Sequence, residues 1–329
     1  MTHGEGAAAP PLEREDPRAS RAWMVMAERG SFGALRFIRW FYRTLGRRAT
    51  IAFLTPVTSY FFITGRTTRR VSLDYLRTLR AAPGGPEALG VEPTWRHAFR
   101  HLLEFAEHIL DRMIVWSGDT EIIQIDYSGT EILRELSQQR RGAILLGCHL
   151  GSWDLLRSVA ERTGVTLNVL IFTANAARIN AFFERMHPDL KLRMIPFELG
   201  SIRWVFDLKA AIERGEFVGV LGDRVWESDR ERSVSVTFLG RRARFPLGPF
   251  LLQAVLGCPM ILTGCFRTGA GRYRAVAIPF ASEGVVPRCD RRKYAEELAQ
   301  RYAHELERWC LRAPYQWFNF FDFWPDDAA

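Results

Sequence analysis

From Ile122 to Leu311 short apolar runs alternate with amphipathic stretches, and that alternation leaves one broad architecture open. Runs of strand length and composition fall at Ile122–Tyr127, Ala143–Gly147, Thr166–Phe172, Leu192–Pro196, Phe217–Gly222, Val234–Leu239, Met260–Phe266 and Tyr273–Ile278. Helical periodicity fits Gly129–Gln139, Trp153–Thr163, Ala177–Met186, Ser201–Arg214, Gly248–Leu256 and Arg291–Leu311. The expected fold is α/β, with a mixed central sheet flanked by helices. At 329 residues the chain can bury a sizeable core as one large domain, or as one domain with an appendage.

The second run carries the most chemistry: Ala143-Ile-Leu-Leu-Gly-Cys-His149-Leu-Gly-Ser-Trp-Asp154-Leu-Leu-Arg157. A buried strand that ends in Gly-Cys-His presents His149 on a loop held by a rigid frame. A neutral imidazole can take a proton from an attacking hydroxyl, and a carboxylate can fix its tautomer and steady the imidazolium. The His-x4-Asp spacing therefore marks His149 as a general base and Asp154 as its partner. It points to an enzyme, and to acyl transfer in particular. Asp154 also suits a helix N-terminus without any catalytic part. The backbone amides near Gly151 and Ser152 are candidates for holding an oxyanion. Cys148 and Ser152 compete as nucleophiles, but Cys148 neighbours His149 on an extended segment and so is expected to face the core.

Gly222-Asp223-Arg224 closes another strand. Asp223 is a candidate for acceptor binding or for bracing the site, and Arg224 for holding a phosphate or polarising a carbonyl. An exposed loop ion pair is the alternative. Arg178 is a weaker candidate of the same type. Arg241-Arg-Ala-Arg244-Phe-Pro-Leu-Gly-Pro249 reads as a strand-to-helix connection whose arginines either steer an acidic carrier or are simply solvated. On the helix Trp95 to Val115, the residues His97, His101, Glu104, His108 and Asp111 share one stripe. It lacks a metal-ligand motif such as H-E-x-x-H and reads as a solvated polar face. The densely aromatic tail from Pro314 to Pro325 either lines an acyl tunnel, sits at a membrane or caps the core.

The N-terminal part differs in character. Residues 1–20 have the composition of a disordered tail, without the apolar core of a signal peptide. Residues 21–85 form an expected membrane-associated helical region. From Trp23 to Arg48 an aromatic stripe and an Arg face recur at helical spacing, as in helices that lie in a membrane interface. The apolar run Ala49 to Thr64 contains Pro56 and is shorter than the roughly 20 residues of a spanning helix. It reads either as membrane-inserted or as a hairpin buried against the main domain. Net charge is +8, and of 45 basic residues only Lys191, Lys209 and Lys293 are lysines. Arginine at this density favours phosphate, carboxylate and anionic-surface partners. No nucleic-acid-binding signature appears, so anionic headgroups and an acidic carrier protein fit better than nucleic acid. Five scattered cysteines without C-x-x-C read as reduced thiols. No G-x-G-x-x-G, Walker A or G-x-S-x-G follows a strand, which removes support for nucleotide binding and for an α/β-hydrolase.

Three blocks, in order, resemble the lysophospholipid acyltransferase superfamily, and most of all its bacterial lipid A biosynthesis (lauroyl/myristoyl) acyltransferase branch. They are Gly147 to Asp154, Gly222-Asp223-Arg224, and Phe238-Leu-Gly240 through Phe245-Pro-Leu-Gly248 to Gly257-Cys-Pro259. The resemblance spans roughly residues 95–325 of a single acyltransferase domain at 86–329. It implies a glycerolipid-acyltransferase-like fold and an enzyme on the cytoplasmic face of the bacterial inner membrane. Such an enzyme moves an acyl chain from acyl carrier protein, or CoA, to a hydroxyl of a lipid or glycolipid acceptor. His149 is then the base and Asp154 its partner. The thioester on phosphopantetheine is already activated, so neither a cofactor nor a metal is expected. The Gly65-Arg66 region and the Gln316-Trp-Phe-Asn-Phe tail are similar to predicted acyltransferases of aryl polyene and fatty-acid pathways, which directs the acceptor away from lipid A itself. The Glu-Gly-Thr-Arg block of glycerol-phosphate acyltransferases is absent. A lipid- or carrier-binding protein and a thioesterase are the alternative functions.

Overall fold

The computed structural model describes residues 32–116, 122–152, 164–172, 192–197, 203–225 and 232–324. Contacts divide the chain into two compact units, residues 1–50 and 51–329. Helix α1 (Phe32–Thr64) begins in the first unit, where Gly46 breaks its helical geometry with φ 77°. In the second unit its remainder, residues 51–64, is one helix and not a hairpin. Thr55, Thr58 and Ser59 return their hydroxyls to carbonyls four residues back, close to Pro56, which can donate no backbone hydrogen bond. Phe62 packs edge-on against Phe99 at 5.3 Å, while Phe53, Val57, Tyr60, Phe61 and Ile63 are exposed. No helix among the described residues is long and apolar enough to cross a membrane.

Three helices follow: α2 (Arg66–Ala81), the short α3 (Gly85–Leu89) and α4 (Trp95–Trp116). From His101 onward the polar stripe on α4 is largely covered, not solvated as expected. His101, His108 and Asp111 are almost wholly covered, and for His101 and Asp111 the rest of the domain supplies matching polar groups. Ser72 and the Trp317 carbonyl meet His101, and Tyr273 donates to Asp111 at 2.7 Å. Arg267 pairs with Glu104 and, at 2.6 Å, with Glu107.

The sheet is built from β1 (Gln124–Gly129), β2 (Ala143–Gly147), β3 (Leu167–Phe172), β4 (Leu192–Phe197), β5 (Phe217–Leu221), β8 (Met260–Gly269) and β9 (Arg272–Ala281). Its order is β1-β9-β8-β2-β5-β3-β4. Only β8 and β9 run antiparallel to each other, so the expected mixed sheet is present. Helices α5 (Glu131–Gln138), α6 (Arg203–Glu213), α7 (Gly248–Leu256) and α8 (Arg291–Arg312) accompany it. All five residues of β2 are buried, as a strand with parallel neighbours on both sides requires.

The Arg-rich connection is a correction: Arg241–Pro246 is a strand, β7. It pairs antiparallel with β6 (Ser233–Phe238) in a separate two-stranded sheet. Leu239 and Gly240 both have positive φ, the geometry of a two-residue hairpin turn that matches strand twist. The pattern Arg-Ala-Arg-Phe then places Ala243 and Phe245 in the core and leaves Arg242 and Arg244 exposed.

Candidate active site

Strands β2 and β5 lie side by side, with Gly147 opposite Leu221. Two residues beyond each of these positions stand His149 and Asp223. Both therefore emerge at the carboxyl ends of central parallel strands, where open α/β sheets place their sites. The Gly222 amide donates to the Gly147 carbonyl at 3.1 Å, and so does the Tyr302 hydroxyl at 2.8 Å. A side chain at Gly222 would press on the Leu146 side chain and the Tyr302 ring.

The His149 ring is partly exposed and Asp223 is fully buried. Asp223 Oδ1 lies 2.7 Å from His149 Nδ1, and Oδ2 accepts the His149 backbone N–H at 2.9 Å. Burial alone would raise the Asp223 carboxyl. The His149 charge and hydrogen bond, the Arg224 guanidinium and the His149 amide outweigh it and bring the carboxyl down to about 2. An ionised carboxylate only accepts, so the neutral imidazole carries its proton on Nδ1 and presents the lone pair of Nε2.

The C-terminal segment completes the site. The Trp317 indole N–H donates to Asp223 Oδ2 at 3.1 Å, with Asn319 Nδ2 at 3.5 Å from the same oxygen. Backbone bonds join Phe318 N to His149 O at 2.9 Å and Gly151 N to Gln316 O at 2.8 Å. The Gln316 side chain bonds both backbone groups of Arg267. Of the alternatives for the aromatic tail, the structure places it over the core: Trp317, Phe318, Phe323 and Trp324 are all buried.

Several expected site residues have other partners here. The amides of Gly151 and Ser152 donate to the carbonyls of Gln316 and Cys265, both at 2.8 Å, so the oxyanion role expected of them is already occupied by protein acceptors. Gly151 has φ 72°, and a Cβ there would collide with the Cys265 carbonyl oxygen. Arg224 holds the tail: Nε donates to Asn319 Oδ1 at 2.7 Å and Nη2 to Phe318 O at 2.8 Å, and its guanidinium lies over the Phe321 ring. Burial lowers its pKa, against the pull of Asp223. Arg241 pairs with Asp74 at 3.1 Å and stacks on Trp324. Cys148 lies in the core, as expected, with its thiol pushed up by burial and by the Asp223 charge. Asp154 and Arg178 lie outside the described residues.

Trp317, Asn319 and His101 escaped sequence reasoning as site residues. The polar residues Gln316 and Asn319 inside an aromatic run were the one local signal.

No curated relative matches the chain. The family model described as bacterial lipid A biosynthesis acyltransferase matches residues 91–325, a span holding every residue of the cluster just described. An imidazole hydrogen-bonded to a buried carboxylate is an arrangement that can take a proton from a hydroxyl. The chain belongs to the bacterial lipid A biosynthesis acyltransferase family, an acyltransferase family acting on lipid acceptors.

Proposed function

We propose that this protein transfers a fatty acyl group from a thioester, on acyl carrier protein or CoA, to a hydroxyl of a lipid or glycolipid acceptor. His149 is the general base and Asp223 its fixed partner. The observation carrying this reading is the 2.7 Å bond between His149 Nδ1 and Asp223 Oδ1, which directs Nε2 to the chemistry. Nε2 takes the acceptor hydroxyl proton as the oxygen attacks the thioester carbonyl. The tetrahedral intermediate collapses, the C–S bond breaks, an ester forms, and the imidazolium returns the proton to the departing thiolate. The buried Asp223 carboxylate stabilises that imidazolium. The acceptor of the His149 Nδ1 proton is Asp223.

The same reading holds the protein peripherally on the cytoplasmic face of the inner membrane. Its support is the exposed apolar face of residues 51–64, followed by exposed Arg66 and Arg70.

The test is incubation of wild type and H149A with radiolabelled acyl-carrier thioester and a total membrane lipid extract. A labelled lipid made only by wild type is the expected result. Free fatty acid alone would make the protein a thioesterase. A bound thioester that is never consumed would make it a binding protein, and either outcome overturns the proposal.

A further inference from the structure

Asp223 has two oxygens and one of them must stay with the His149 ring. Oδ1 faces Nδ1. Oδ2 is held by the His149 amide at 2.9 Å and by the Trp317 indole at 3.1 Å. The carboxylate therefore cannot rotate about its own bond without breaking both. An N–H donated to an ionised carboxylate is one of the stronger hydrogen bonds a protein makes.

Trp317 is itself immobilised from every side. It is 1% exposed, and its ring packs against Tyr75 at 4.9 Å, Phe238 at 5.2 Å and Phe323 at 4.7 Å. Its carbonyl oxygen can only accept, so His101 Nε2, 2.9 Å away, carries the proton of that ring. His101 Nδ1 then accepts from the Ser72 hydroxyl at 2.9 Å. The residues on either side, Gln316 and Phe318, bond the backbone of Gly151 and His149. The segment 316–318 thus grips the loop bearing the base through the main chain of Gln316 and Phe318, and the base's partner through the Trp317 side chain. Phenylalanine would fill much of the same space; the indole N–H is what it would lack.

We propose that Trp317 is a positioning residue for catalysis, holding the Asp223 carboxylate in the rotamer that keeps the His149 ring oriented. The inference rests on the acyl-transfer reading above. Asp223 is the group through which Trp317 acts, so the two substitutions must be non-additive.

The test is a double-mutant cycle of W317F and D223N under single-turnover conditions, with the lipid extract as acceptor. W317F is expected to lower the rate about tenfold, roughly 1.4 kcal/mol by the rate relation, with the KM for the thioester within about twofold. In the D223N background the same change is expected to cost less than about twofold. An equal cost in both backgrounds, or a loss confined to KM, would overturn the proposal. A readout that needs no turnover is the His149 Nδ1 proton in 15N-histidine-labelled protein, assigned by its absence in H149A. It is expected downfield in wild type and shifted or lost in W317F; an unchanged signal would overturn the proposal as well. If H149A turns over normally, the acyl-transfer reading itself fails. If H149A is inactive and W317F behaves as wild type, only the role of Trp317 fails.

Discussion

Asp223 reaches His149 across 74 residues of sequence and bonds it twice, through the ring at 2.7 Å and through the backbone at 2.9 Å. The double contact fixes both where the loop sits and which ring nitrogen carries the proton. It follows from adjacency of β2 and β5: two parallel strands in register deliver their next residues to the same place.

D223N should keep the fold and reverse the donor–acceptor sense at Nδ1. A neutral amide can donate there, which favours the tautomer with its proton on Nε2, unable to act as base. The expected loss in kcat is on the order of 10²–10⁴. D154N should lose less, since Nδ1 has a single proton to give. Rates of the two variants, measured side by side with the labelled thioester, decide this. Greater damage from D154N would take Asp223 out of the leading role.

Gly151 should not tolerate alanine. Its φ of 72° is unfavourable for any side chain, and the added Cβ meets the Cys265 carbonyl oxygen. Relieving that contact moves the loop off β8. A destabilisation of about 2–4 kcal/mol is expected, a size typical of strain combined with a steric clash. Urea unfolding of G151A measures it. A midpoint equal to that of wild type would mean the loop is free to move.

Stability should fall as the pH drops from about 6.5 toward 4, and His101 should account for much of the fall. Burial lowers its pKa to about 4, partly opposed by its bond to the Trp317 carbonyl. The unfolded chain protonates at the ordinary histidine value, so between the two values it holds more protons than the folded chain. The contribution is complete above about pH 6.5 and disappears as pH approaches 4, up to about 3 kcal/mol. H101Q retains an amide donor for the Trp317 carbonyl but has no proton to gain. Its unfolding free energy should vary less over this window. Equal slopes for H101Q and wild type would place the dependence elsewhere.

Tyr60 and Ile63 are the most exposed large apolar residues of the segment 51–64. If that face enters a lipid surface, each side chain gains roughly 1.5–3 kcal/mol on burial. Y60S and I63S should each weaken binding to anionic phospholipid vesicles by about tenfold or more, with unfolding midpoints little changed. Cosedimentation checks this. Undiminished binding in the double variant would assign membrane contact to another surface.

Much of the sheet was legible because buried strands and amphipathic helices leave local periodicity. The apolar run Ala143–Gly147 coincides with β2 to the residue. The strand Arg241–Pro246 is hard to see in the sequence: its turn, Leu239-Gly240, lacks the usual Asn-Gly or Asp-Gly. Leucine rarely takes positive φ, and here it does so while buried. The stripe on α4 looks solvated in sequence because a helix pattern shows that polar groups share a face, not what meets them. Arg267, Tyr273 and Trp317 are the answers, and all lie far along the chain.

His149 and its strand-end loop are local chemistry, written in consecutive residues and recoverable from them. The alternation that makes the fold α/β is local in the same sense, since hydrophobic period follows backbone geometry. Which carboxylate meets the imidazole is not local. The spacing offers Asp154, which lies outside the described residues; the structure joins His149 to Asp223, a pairing that depends on which strand lies beside β2. Trp317 is further still from local: its partner is 94 residues away, brought near only when the C-terminal segment folds back over the sheet. Strand order and the path of the chain end are set by the packing of the whole core, and short-range pattern carries no record of that.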